Sequence, residues 1–119
     1  MALLTTGPIE NNPVSGVRPT QLVTVKMVSR DAPGVTAVGI QGYILGVTRT
    51  MYVSEMVNIA PDQVLTRDYF ADLDAFEFAV TTEGAVEVIG VSVWGKQASG
   101  QLTGAHRVTS YEQEHAETE

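Results

Sequence analysis

The sequence predicts an all-β protein, an antiparallel β-sandwich of jelly-roll type with about seven or eight strands. Three observations carry that expectation. Short apolar stretches alternate with period two, as strands do when successive side chains point to opposite faces. Pro, Gly, Asn and Asp punctuate the chain at short intervals, each suited to a turn. No stretch shows the period of an amphipathic helix. A closed barrel is the alternative that fits the same pattern.

Residues 1–19 read as an extended N-terminal arm. Pro8, Pro13 and Pro19, with Gly7, Gly16 and the pair Asn11-Asn12, oppose a helix or a central strand. Yet Leu3, Leu4, Ile9 and Val14 are apolar. A frayed terminus is the ordinary reading, and an arm that adds a strand to a neighbouring subunit's sheet edge is the functional one.

Residues 20–109 form the expected sandwich domain. Val23, Val25 and Met27 share one face of a first strand, and Asp31-Ala32-Pro33-Gly34 turns the chain. Val35–Leu45 follows, broken by Gly39 and Gly42, which mark a bulge or a close backbone approach. In Thr48–Ile59 the alternation puts Met51, Val53, Val57 and Ile59 together, with Tyr52 and Met56 opposite. Ala60-Pro61-Asp62-Gln63 turns again. Arg67 and Asp68 give Val64–Phe70 the character of an edge strand, where charge discourages stray pairing. After the turn Ala71–Asp74, Phe76, Phe78 and Val80 alternate with smaller residues.

Ala85–Val108 carries the clearest hairpin signal. Val86, Val88, Gly90, Ser92 and Trp94 point one way; Ala85, Glu87, Ile89, Val91 and Val93 point the other. Apolar groups on both faces suggest a central strand whose second face is covered by another layer or another subunit. Gly95 and Gly100 bracket the turn, and Gln101–Val108 returns. Residues 110–119 form an acidic tail.

Charge narrows the partners. The net charge is −7, and Glu112, Glu114, Glu117 and Glu119 of the tail account for four of the fourteen acids. The seven Lys and Arg residues are scattered singly, so nucleic acid and anionic membrane surfaces are not expected as partners. Charged residues make up 18% of the chain, below the roughly 25% usual for soluble domains, which suits either a surface covered by other chains or a small β domain whose outer faces carry Thr, Ser, Gln and Asn instead. There is no cysteine, so disulfides and thiolate metal sites are out of reach. Met1-Ala2-Leu3-Leu4 lacks a basic flank and runs into Thr5, Thr6, Gly7 and Pro8, unlike a secretion signal. Synthesis in the cytoplasm is the expectation, and no apolar run approaches the ~20 residues of a membrane span.

Candidate chemistry is sparse. His106 and His115 are the only histidines; one lies mid-strand beside Arg107 and the other in the tail, so structural or surface roles are expected for both rather than a zinc or copper site. Asp68, Asp72 and Asp74 cluster as calcium ligands do, but without the EF-hand glycine and distal glutamate; turn capping accounts for Asp72 and Asp74. Trp94 reads as core, with a sugar platform as its functional alternative. No nucleophile elbow or phosphate loop occurs. The expectation is a non-enzyme without cofactor, metal or small-molecule substrate.

Two stretches carry a resemblance: YFADLDAFEFAV (Tyr69–Val80) and VSVWGKQASGQLTGAHRV (Val91–Val108). Across roughly residues 20–108 the chain resembles small proteins of spore-forming Gram-positive bacteria, which are in turn similar to subunits of endospore appendages and other spore-surface assemblies. That resemblance implies a jelly-roll domain with an N-terminal connector reaching into adjacent subunits of a fibre, deployed on a spore or cell surface. Appendage connectors carry cysteines for cross-links, whereas this chain has none. The expected function is therefore a self-assembling structural subunit of a filament or surface appendage. Leu3, Leu4, Ile9, Val14, Ile89, Val91 and Val93 are the candidate interface. A carbohydrate-binding module and a tail or fibre component of a virus-like particle are the alternatives.

Overall fold

A computed structural model describes residues 2–30, 34–82, 89–106 and 109–110. Within them the strands run β1 (Ala2–Thr5), β2 (Ile9–Glu10), β3 (Leu22–Ser29), β4 (Thr36–Leu45), β5 (Arg49–Ile59), β6 (Val64–Phe70), β7 (Ala75–Thr82), β8 (Ile89–Lys96), β9 (Leu102–His106) and β10 (Thr109–Ser110). Two antiparallel sheets face each other, one ordered β10-β1-β7-β4-β5 with β2 also on β7, the other β6-β3-β8-β9. The all-β sandwich expected from the alternation is what the chain forms. The pairs β4–β5, β3–β6 and β2–β7 nest inside one another and fall alternately in opposite sheets.

The alternation decides what is buried. Val23, Val25 and Met27 of β3, Val38 and Ile40 of β4, Phe76, Phe78 and Val80 of β7, and Ile89 and Val93 of β8 fill the space between the sheets. Each large side chain buried in this way contributes about 1.5–3 kcal/mol. Phe78 sits at the centre, stacked on Tyr69 at 5.5 Å and edge-on to Tyr52 and Phe76 at 6.1 and 6.0 Å. Gly42 makes room for it, because a Cβ there would stand 2.9 Å from the Phe78 ring.

Beside Gly42 the ladder slips. Gly42 pairs with Val53 but Tyr43 pairs with Met51, so Tyr52 is an extra residue in β5, a β-bulge. The slip corrects the expected faces of this strand. Tyr52 and Val53 both pack on the core, whereas Met51 lies on the outer side and is 49% exposed. A period-two reading assumes an unbroken pleat, and the bulge breaks it.

Trp94 is a second correction. It is half-buried on the outer face of β8, not in the core, and its indole N–H donates to Ser92 Oγ two residues back at 2.9 Å. The two-residue spacing keeps both on one face. The hairpin after it is tighter than expected: Gly95 lies within β8, and the turn spans Gln97–Gly100, with Gly100 at φ 96°. The return is also split, since β9 stays on β8 but β10 pairs with β1 in the other sheet. Residues 83–88, with Val86 and Val88, and the tail from 111 onward lie outside the described residues.

Candidate functional site

The arm divides in two. Ala2–Thr5 and Ile9–Glu10 pair with β7 on either side of a one-residue slip, where Gly7 takes φ 70°. β1 is thereby threaded between β7 and β10. Beyond it, Asn11 is 2% exposed and acts as a clamp. Its Nδ2 donates to the carbonyls of Thr20, Ala71 and Leu73 at 2.7, 3.2 and 2.9 Å, and its Oδ1 accepts from Thr20 N–H at 2.9 Å. Val14 to Val17 close a small hairpin on Ser15 and Gly16, both with positive φ. Arg18 then reaches Asp72 at 3.2 Å and Asp74 at 2.7 Å, and those carboxylates raise the Arg18 pKa, the Asp74 bond most.

The candidate interface residues therefore scatter. Leu4 points inward and Leu3 outward from β1, both half-buried, and Ile9 packs against the core. Val14 is 67% exposed on the small hairpin. Ile89 and Val93 are core residues and Val91 packs beside them, so in the single chain the facing sheet already covers them. The acidic cluster is drawn apart as well. Arg18 takes Asp72 and Asp74, while Asp68 accepts from Thr24 Oγ1. Among the described residues no group of three His, Asp or Glu side chains could hold a metal ion.

The outer face of the β1-β7-β4-β5 sheet carries a hollow of 570 Å³, lined by Leu3 and Thr5 of β1, Glu77, Ala79 and Thr81 of β7, Gln41 and Tyr43 of β4, and Arg49 of β5. At one end Glu77 accepts from Thr5 Oγ1 at 2.6 Å and from Arg49 Nε at 3.0 Å. The Glu77 bond raises the Arg49 pKa, and the guanidinium lies 3.5 Å from the centre of the Tyr43 ring, a cation–π distance. The bulge in β5 is what brings Arg49 here. By shifting the register it sets Leu45 opposite Arg49 and Tyr43 opposite Met51.

The other sheet carries Trp94 on its outer face in a hollow of 340 Å³, with Thr24, Lys26, Ser92, Lys96 and Leu102. Leu102 and Phe70, on the two edge strands, are 56% and 58% exposed. His106 lies inward with its ring edge-on to Phe76 at 6.2 Å. Its Nε2 is buried without a hydrogen-bond partner among the described residues, and burial pushes its pKa down.

Sequence reasoning missed Asn11, Arg18 and the Arg49–Glu77 pair. Asn11 binds backbone carbonyls, which leave no mark in a sequence, and Glu77 meets Arg49 across 28 positions of chain. The pair Asn11-Asn12 in the proline-bearing arm was the one local signal for the clamp. Compared with protein-family models, curated proteins and solved structures, the chain matches none significantly.

Proposed function

We propose that this chain is a non-enzymatic structural subunit that self-assembles into a filament or surface appendage by exchanging its N-terminal strand between copies. The observation that carries the reading is the seating of β1 in a slot between β7 and β10, joined by only Thr6, Gly7 and Pro8 to β2 and the Asn11 clamp. Its four residues pair with Ala79–Thr82 of β7. A copy of the same segment from a neighbour fits the same slot by identity, so exchange exposes no unpaired strand within the array. The clamp and β2 keep residues 9–19 on their own domain while residues 1–8 pass across.

Head-to-tail exchange is heterologous and leaves an open slot at one end and a free arm at the other. Such contacts do not close unless the rotation between subunits makes a ring. Without cysteine, cohesion rests on strand pairing and apolar burial. The resemblance to spore-surface subunits points the same way and carries with it deployment on a spore or cell surface.

The test is removal of Met1–Gly7, which spares Asn11 and Arg18. The shortened chain is expected to stay folded by circular dichroism yet remain a uniform small particle by light scattering and electron microscopy, under conditions where the full chain forms filaments. Adding a peptide of residues 1–10 should cap full-length filaments and shorten them. A full chain that stays monomeric at high concentration, or a shortened one that forms the same filaments, overturns the proposal.

A further inference from the structure

The hollow on the outer face of the β1-β7-β4-β5 sheet presents hydrogen-bonding groups to solvent while its charges are already paired. Glu77 holds Arg49 and Thr5, so the lining is neutral overall. The Gln41 amide and the Thr81 hydroxyl make no hydrogen bond with other described residues. An amide side chain brings two donors and an acceptor, a hydroxyl one donor and two lone pairs. Gly39 sits beneath both. A Cβ there would stand 2.6 Å from Thr81 Oγ1 and 2.8 Å from Gln41 Nε2, so the absent side chain lets these groups lie low against the sheet. Leu3 and Ala79 supply an apolar wall. From this arrangement the geometry points to a binding site for a neutral polyhydroxylated ligand, a saccharide unit of one or two rings.

The competing ligand classes fit less well. An anion meets the Glu77 carboxylate and a cation meets Arg49, and either must break an existing pair. An extended peptide added to a sheet draws its affinity from main-chain bonds at an edge, whereas this hollow lies on a face whose backbone groups are used in the ladders β1–β7–β4–β5. A wholly apolar ligand strips water from Gln41 and Thr81 without replacing its hydrogen bonds. A sugar hydroxyl both donates and accepts, and its ring C–H groups suit Leu3 and Ala79. The volume lies within the ~300–1,000 Å³ of small-molecule sites. Arg49 covers a face of Tyr43, which leaves no broad stacking platform. Binding is therefore weak.

The experiment titrates the full chain, below the concentration at which it associates, with methyl glucoside, methyl galactoside, N-acetylglucosamine, maltose and cellobiose. Amide signals are followed by nitrogen-15 NMR. At least one sugar is expected to move Gln41, Glu77 and Thr81 saturably. Gln41→Ala, with its spectral dispersion retained, should weaken that binding about tenfold, and Thr81→Val should weaken it too. Trp94→Ala, on the opposite face of the molecule, should leave it unchanged. The assignment is overturned if none of the five sugars gives a saturable shift. It also falls if Trp94→Ala abolishes the shifts, or if Gln41→Ala and Thr81→Val both bind as the parent does. Because the measurement is made on unassembled chain, its result stands apart from that of the strand-exchange test.

Discussion

At the scale of single residues, Asn11 ties the N-terminal segment to the body of the domain. Four hydrogen bonds join it to Thr20, Ala71 and Leu73, tying the arm to the start of β3 and to the β6–β7 turn. Its removal leaves buried backbone groups without partners, and each such group costs about 1–3 kcal/mol. Asn11→Ala is expected to lower stability by about 3 kcal/mol, measured as a fall in the urea midpoint. Asn11→Asp should be at least as damaging despite its matching shape, because a carboxylate would face three carbonyl oxygens with no proton to offer. Should Asn11→Asp unfold at the parent's midpoint, the clamp as described is not what holds the arm. Arg18 adds less. Its bonds to Asp72 and Asp74 lie at the surface, where solvent and salt screen the charges and holding two side chains in one geometry offsets the gain.

At the scale of elements, the fit between β4, β5 and β7 turns on Gly42. A methyl group there meets the Phe78 ring at 2.9 and 3.1 Å and Val53 Cβ at 3.0 Å, and all three belong to the packed interior, where overpacking costs about 1–3 kcal/mol. Gly42→Ala should lower the thermal midpoint accordingly. Gly46→Ala, where an added Cβ meets nothing within 4 Å, should change it little; equal effects at both positions would remove the packing account. The same elements show what could be read from sequence. Val23, Val25 and Met27, or Phe76, Phe78 and Val80, declare their face because an unbroken pleat converts spacing directly into side. Met51 does not, since the extra residue Tyr52 reverses the side of everything before it in β5. Trp94 was legible in direction but not in burial: its alternation with Ile89, Val91 and Val93 is correct, and the core lies on their side. The hollow around Gln41 and Glu77 is assembled from strands distant in sequence, so no local motif announces it.

At the scale of the whole molecule, pH dependence reports how the two sheets are joined. Glu55 of β5 accepts from Tyr69 at 2.6 Å and Arg67 at 3.1 Å, both on β6 of the facing sheet. The Tyr69 bond first and the Arg67 bond second hold its pKa below the ordinary 4.5. His106, half-buried against Phe76 with its Nε2 out of solvent, has its pKa held below 6.5 by desolvation. Burial pushes Tyr52 up to about 12, from 10.0, and raises Tyr69 as well, with the Glu55 contact adding to it. The signs follow from proton binding. Below 6.5 the unfolded chain takes up a proton at residue 106 before the folded one does, so stability is full above that pH and falls on acidification. Below 4.5 the same holds for Glu55, and a second decline is added. Above 10.0 the unfolded tyrosines lose protons first, so stability falls again on the alkaline side. The thermal midpoint should therefore form a plateau between about pH 6.5 and 10 with a shoulder on its acid flank. In His106→Phe, which keeps an aromatic ring against Phe76, the decline should begin only near pH 4.5, while Tyr52→Phe should blunt the alkaline limb. A parent protein whose midpoint holds steady from about pH 7.5 to 5.5 would show that His106 is not kept neutral between the sheets.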